Sequence, residues 1–327
     1  MAPILTRSFV PSTVLLGVGM KLAATFFFAL MLALGKAYSV YGVSEVVFFR
    51  SAFALIPVMI WLVMRGDFPR ALRTSRFGGH MVRSVAGIGS MFCMFGSYAL
   101  LPLADATALG YAAPLMITLM AAYFLGETMT GLRWGAVALG FAGVVVMLWE
   151  HLGSPAPDAP ARSALGAGLA LAGAFLVSIA MVQTRRLTKT EDTGAITFYF
   201  QSSTTIASGA VLAAAVFWPT NWPLASLMAS QAWTTPSLMD WAPLIAIGLL
   251  GGIGQIFMTQ GYRYADASIL AVFDYSSLLF AIAIGYLAFS DVPTGQTLFG
   301  ASIVICAGLA VVWQESRGRR RGALKPH

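Results

Sequence analysis

Ten apolar runs, each near the length of a bilayer-crossing helix, fill this sequence almost from end to end. They lie at roughly 14–36, 45–64, 80–100, 104–125, 130–149, 165–186, 194–217, 242–263, 267–288 and 294–314. About 20 apolar residues carry a helix across the hydrocarbon core. Lipid offers backbone N–H and C=O groups no water, so only helices and closed barrels cross it. Barrel strands alternate apolar and polar residues, and these runs do not. The sequence therefore predicts an all-α membrane protein with ten transmembrane helices. Composition supports this: 10% of residues are charged, against about 25% in a soluble domain. That is too few to clothe a water-facing surface.

The net charge of +7 is explained by loop placement. With the N-terminus cytoplasmic, sixteen Lys and Arg fall on inner segments and only Lys36 and Arg162 on outer ones. Cytoplasmic loops attract Lys and Arg, so both termini are expected inside and no nucleic-acid partner is implied. Cys93 and Cys306 have no metal-site spacing, and His80, His151 and His327 are scattered, so neither a metal nor a cofactor is expected. The first span reads as an uncleaved anchor. Trp218, Trp222, Trp233 and Trp241 cluster around one outward linker, at the level where tryptophans meet the headgroups.

The chain repeats itself. Gly87-Ile88-Gly89-Ser90-Met91-Phe92, Gly96 and Ala104-Asp105-Ala106-Thr107 answer to Gly252-Ile253-Gly254-Gln255-Ile256-Phe257, Gly261 and Ala265-Asp266-Ala267-Ser268. Downstream, Glu127 before Thr130-Gly131 matches Asp291 before Thr294-Gly295, and Gly135 and Gly143 match Gly300 and Gly308. The repeat divides the chain into residues 1–150, a Pro/Ala-rich linker at 151–164, residues 165–316 and a basic tail at 317–327. Five spans per half is odd, so the second half enters the membrane from the opposite face. Inverted repeats recur in secondary transporters. A duplicated bundle can also be an enzyme or a receptor. An enzyme would need a nucleophile–base set or a metal cluster, and a receptor or scaffold would have sizeable soluble loops. Neither pattern is present, so no catalytic residue is assigned.

These residues carry a resemblance. Phe48-Phe49-Arg50-Ser51-Ala52-Phe53-Ala54, the stretch from Leu109 through Pro114 to Gly126-Glu127, and the Gly-spaced span from Gly135 to Gly143 resemble the drug/metabolite transporter superfamily, in its ten-span EamA-type branch. The second half repeats them more loosely, with Tyr275 in place of Pro114 and Asp291 near the position of Glu127. The resemblance implies a monomeric exporter of small metabolites in the bacterial inner membrane, with a cavity between the halves. Exporters of neutral or aromatic amino acids are the nearest in character.

Candidate transport residues are the polar groups inside spans. Ionisable side chains there face the bundle interior or water. Asp274 is read as a contact for a substrate amine or a proton carrier, or else as a hydrogen-bonded tie between helices. Lys21 is read as a carboxylate contact, a partner for Asp274, or a side chain snorkelling to the inner surface. Arg50 is read as a substrate contact or as an ion-pair partner of Glu45. Tyr98, Tyr111, Gln183, Gln255, Thr259 and Tyr275 are candidate cavity groups, with interhelical hydrogen bonding as the alternative. Gln255 and Thr259, four residues apart, share a helix face. Pro57 and Pro114 are candidate kinks, Pro114 the better gate. Glu127 and Asp291 are expected to cap helix N-termini.

Overall fold

A computed structural model describes residues 11–66, 68–69, 73–125, 131–152, 159–187, 190–219, 221, 230–264 and 273–323. Among them every regular element is helical. The helices are α1 (Pro11–Ala37), α2 (Val43–Met64), α3 (Phe77–Leu100), α4 (Leu103–Gly110), α5 (Ala112–Leu125), α6 (Gly131–Leu152), α7 (Ala159–Leu187), α8 (Thr193–Phe217), α9 (Trp241–Tyr264), α10 (Ser276–Phe289) and α11 (Gly295–Ala323). Short 3-10 turns precede α2 at Ser39–Tyr41 and α10 at Phe273–Tyr275. Glu127, Ala265–Ser268 and most of the linker fall outside the described residues.

Among the described residues six helices are long and apolar enough to cross a membrane, and three shorter apolar helices lie at Trp134–Trp149, Phe273–Phe289 and Gly295–Ala310. α3 is diluted by His80, Arg83 and several small polar residues. Large apolar side chains such as Leu15, Ile60, Phe217 and Leu279 point outward, as lipid-facing residues do.

Two proline expectations resolve differently. Pro57 sits inside an unbroken α2, and the bare backbone of Gly252 on α9 lies against its ring. Pro114 does interrupt its span, one turn upstream. Without an N–H, Pro114 cannot bond the carbonyl of Gly110; α4 ends there, and α5 begins at Ala112. Tyr111 stands in the gap.

Packing joins the two ends of the sequence. α1 lies on α9 and α3 on α7; α2 packs on α8 and α6 on α11. Exchanging α1, α2, α3 and α6 with α7, α8, α9 and α11 carries these contacts onto themselves. α6 and α11 approach closely: a Cβ on Gly143 would meet the Gly300 carbonyl at 2.7 Å, and the reverse holds for Gly300 at 2.7 Å. Small residues permit such backbone contact. The main core surrounds α4, including Leu103, Leu109, Tyr111, Leu115 and Met147.

Candidate functional site

The site is built where the two interrupted spans meet. Tyr111, between α4 and α5, reaches the first turn of α10. Its hydroxyl accepts the N–H of Leu278 at 2.9 Å, bonds the Ser277 hydroxyl, and lies 3.4 and 3.3 Å from the carbonyls of Asp274 and Tyr275. The first N–H groups of a helix lack partners within it, and the residue ahead of α10 supplies no side-chain cap. Tyr111 supplies one from the other end of the sequence. Its ring lies 5.2 Å from that of Tyr275, centroid to centroid, and the Tyr275 hydroxyl occupies the space a side chain at Gly308 would need.

The same turn presents Asp274. Its carboxylate takes the ammonium of Lys21 at 2.5 Å; Lys21 is fully buried, while the Asp274 side chain is 45% exposed. Of the readings open for Lys21, the structure selects the pair with Asp274. Thr25, one turn along, returns its hydroxyl to the Lys21 carbonyl at 2.9 Å. A buried ammonium needs such a counter-charge. The exposed face of Asp274 keeps the pair reachable from solvent or substrate.

The other candidates spread out. Tyr98 is buried and shares a 3.3 Å hydrogen bond with Thr107. Gln183 donates weakly to the Gly79 carbonyl at 3.4 Å, tying α7 to α3. Gln255 is half-buried on α9. Thr259 lies on the same helix, and its side chain is outside the described residues. Pro114 is exposed. Glu127 is not among the described residues.

Two expectations are corrected. Arg50 does not pair with Glu45. Five residues apart, the two point from different faces of α2; Arg50 Nη1 donates to the Gln201 amide oxygen at 2.7 Å, and Glu45 accepts the N–H of Thr234 at 3.0 Å. Asp291 does not cap α11. Thr294 does, accepting the N–H of Thr297 at 3.1 Å. Asp291 lies too far upstream, and its carboxylate instead holds the Lys36 ammonium at 2.5 Å, which also donates to the Leu101 carbonyl at 3.1 Å.

Lys36 belongs to a set of contacts that close one end of the bundle. Segment 230–241 lies across the turn between α1 and α2. Gln231 accepts from the Ser44 N–H and hydroxyl at 3.0 and 2.8 Å. Trp233 stacks on Phe49 at 5.9 Å, and Tyr41 donates to Asp240. That bond raises the Tyr41 pKa. The Asp240 carboxyl is lowered by the Ser237 hydroxyl and then by Tyr41. Gly42 turns the chain at φ 79°, with the Ser230 carbonyl 2.8 Å from where a Cβ would stand. At the other end, Glu191 lies 3.6 Å from His80 and accepts from the Ser75 N–H and hydroxyl at 3.1 and 2.9 Å. Burial pushes the Glu191 pKa up, but the Ser75 bonds outweigh it and leave the carboxyl lowered. The groove lined by Leu15, Leu16, Gly19, Met20, Ala23 and Phe257 is apolar and faces outward, away from these polar groups.

Sequence reasoning missed Lys36, because a cation at a span end reads as a loop residue. It missed Tyr111 as a cap, because that role depends on a partner far along the chain. It missed Gln201 as the partner of Arg50.

Comparison with known proteins places this arrangement. The EamA-like transporter family matches residues 15–149 and again 164–313. The pseudopaline exporter CntI of Pseudomonas aeruginosa is 30% identical over 298 residues, spanning 90% of this chain and 95% of that protein. An S-adenosylmethionine uptake transporter of Rickettsia conorii is 27% identical over 277 residues, 85% of each chain. A riboflavin transporter of Brucella anthropi is 29% identical over 277 residues, 84% of this chain and 90% of its own. A protein of known crystal structure, 23% identical, superposes with a TM-score of 0.61 over 94% of this chain and 99% of its own, a likeness of fold. Two matched segments cover most of the sequence and its relatives are transporters, so this multi-pass membrane chain belongs to the EamA-like transporter family of the drug/metabolite transporter superfamily.

Proposed function

We propose that this chain is a secondary transporter exporting a small metabolite with an amine and a carboxylate across the bacterial inner membrane by alternating access. Neutral and aromatic amino acids are the first class to test. The observation that carries this reading is the Lys21–Asp274 pair on the turn where the interrupted spans meet. In transporters with repeated halves, binding sites lie at the repeat interface on broken helices. The half-exposed acid, with the buried cation as its counter-ion, offers a negative charge to the amine of such a solute. The exchange-invariant packing supports ten spans in two inverted repeats of five, at 1–150 and 165–316, joined by a linker at 151–164. Both ends and the basic tail at 317–327 are cytoplasmic, and the monomer is the working unit.

A second reading is favoured by the relatives. They carry pseudopaline, S-adenosylmethionine and riboflavin by their names. The same family thus serves solutes of several classes. The test is uptake of labelled neutral and aromatic amino acids into proteoliposomes, with and without a proton gradient. Saturable uptake above empty vesicles is expected, and Asp274→Asn removes any gradient dependence. No uptake of any amino acid sinks the substrate assignment and turns the search to the relatives' solutes.

A further inference from the structure

A second group of buried charges lies apart from the Lys21–Asp274 pair. Arg50 on α2 is 5% exposed, and Gln201 on α8 is fully buried. Arg50 gives Nη1 to the Gln201 oxygen at 2.7 Å. Only the amide oxygen can accept from a guanidinium, so this bond fixes the orientation of Gln201 and sends its NH2 elsewhere. Arg83 on α3 gives Nε to the Thr184 hydroxyl at 3.1 Å and lies 4.0 Å over the ring of Phe200, the residue next to Gln201. Gly87, one turn along α3, makes this approach possible: any side chain there would strike the same Phe200 ring.

Both guanidinium groups are thus held by neutral partners. Among the described residues neither has a carboxylate within ion-pair reach, and the two meet neighbouring residues of α8, Phe200 and Gln201. Three N–H sites remain buried without an acceptor: Nε of Arg50, Nη1 of Arg83 and Nε2 of Gln201. All three are donors. Two like charges inside a membrane bundle are costly without a counter-charge. A guanidinium is the side chain whose forked donors match an oxyanion.

We infer that Arg50, Arg83 and Gln201 form a binding site for the carboxylate of the transported solute, held between α2, α3 and α8. The inference rests on the transporter reading and names the part of the solute that reading left open.

The test uses the purified full chain in detergent and follows its melting temperature at constant ionic strength in sodium chloride. The probes are acetate, its neutral counterpart acetamide, and inorganic phosphate. Acetate is expected to raise the melting temperature saturably, and acetamide to leave it unchanged. Arg83→Gln is expected to keep or raise the melting temperature without ligand, because it removes one of two repelling charges. It should weaken the acetate response about tenfold or more, the loss of a charge-assisted bond. Arg50→Lys keeps the charge but loses the fork, and should weaken it as well. Stabilisation by phosphate in place of acetate would make this an inorganic-anion site and overturn the assignment. So would an absent acetate response, or a response unchanged in Arg83→Gln. Transport separates the two proposals. If the parent protein carries an amino acid and Arg83→Gln does so with the same half-saturation, the site falls while the transporter stands. If acetate binds as expected but no amino acid is carried, the substrate class falls while the site stands.

Discussion

Tyr111 shows how much of this site depends on single atoms. Its hydroxyl accepts the Leu278 N–H and thereby closes the N-terminus of α10. Tyr111→Phe keeps the ring and leaves that buried donor without its acceptor. A loss of about 1–3 kcal/mol is expected, read as a lower melting temperature with helical content retained. Transport should fall further than stability alone explains, since the turn carrying Asp274 is what the hydroxyl steadies. An unchanged melting temperature would show that the cap contributes nothing. Glu191 offers a test by pH. Its pKa in the fold is below that of a free carboxyl, so its tether to Ser75 is complete above the ordinary carboxylate range. The tether fails only as the pH falls through the lowered value. Hydrogen exchange at the Ser75 amide, corrected for intrinsic rate, should keep its protection from neutral pH down to about 4.5 and lose it below. Glu191→Gln should show no such step, and identical profiles in the two proteins would sink the idea. Neither role was legible in the sequence. A tyrosine beside a break and an acid in a loop acquire meaning only from partners more than 100 residues away.

At the scale of elements the sequence was far more legible, for a physical reason. Lipid enforces helical hydrogen bonding, so apolar length alone located most of the described helices within a few residues, while α7 begins earlier and α11 runs on further than their apolar runs. The break between α4 and α5 lies one turn before Pro114, whose missing N–H accounts for it. Pro57 lacks the same donor inside an unbroken α2, so the sequence alone did not tell the two prolines apart. Where helices touch was legible only as glycine spacing. Gly143 and Gly300 turn out to bring α6 and α11 into backbone contact. Gly300→Val should therefore force the two apart and lower the yield of folded protein. Gly135→Val, at a position with nothing within 4 Å of the added Cβ, should be tolerated. Equal expression of both variants in membranes would contradict the packing.

For the whole molecule, the charge count gives an orientation that can be checked from outside the cell. With Cys93 and Cys306 replaced by alanine, Ser39→Cys places a thiol in the turn between α1 and α2. Thr190→Cys places one between α7 and α8. The first should react with a membrane-impermeant maleimide in intact cells, the second only after permeabilisation. The opposite pattern would invert the molecule and with it the assignment of the Lys36–Asp291 end to the outside. One more consequence follows from the two ion pairs and the His80–Glu191 contact among the described residues. Lys21, Lys36 and His80 come from the first family segment, and Asp274, Asp291 and Glu191 from the second. The basic partners thus sit on one piece of chain and the acids on the other. Made as separate polypeptides, two copies of either piece would bring like charge to like charge. A split version of this protein would assemble only as an unlike pair, one of each, and duplicating one piece in place of the other would not restore it.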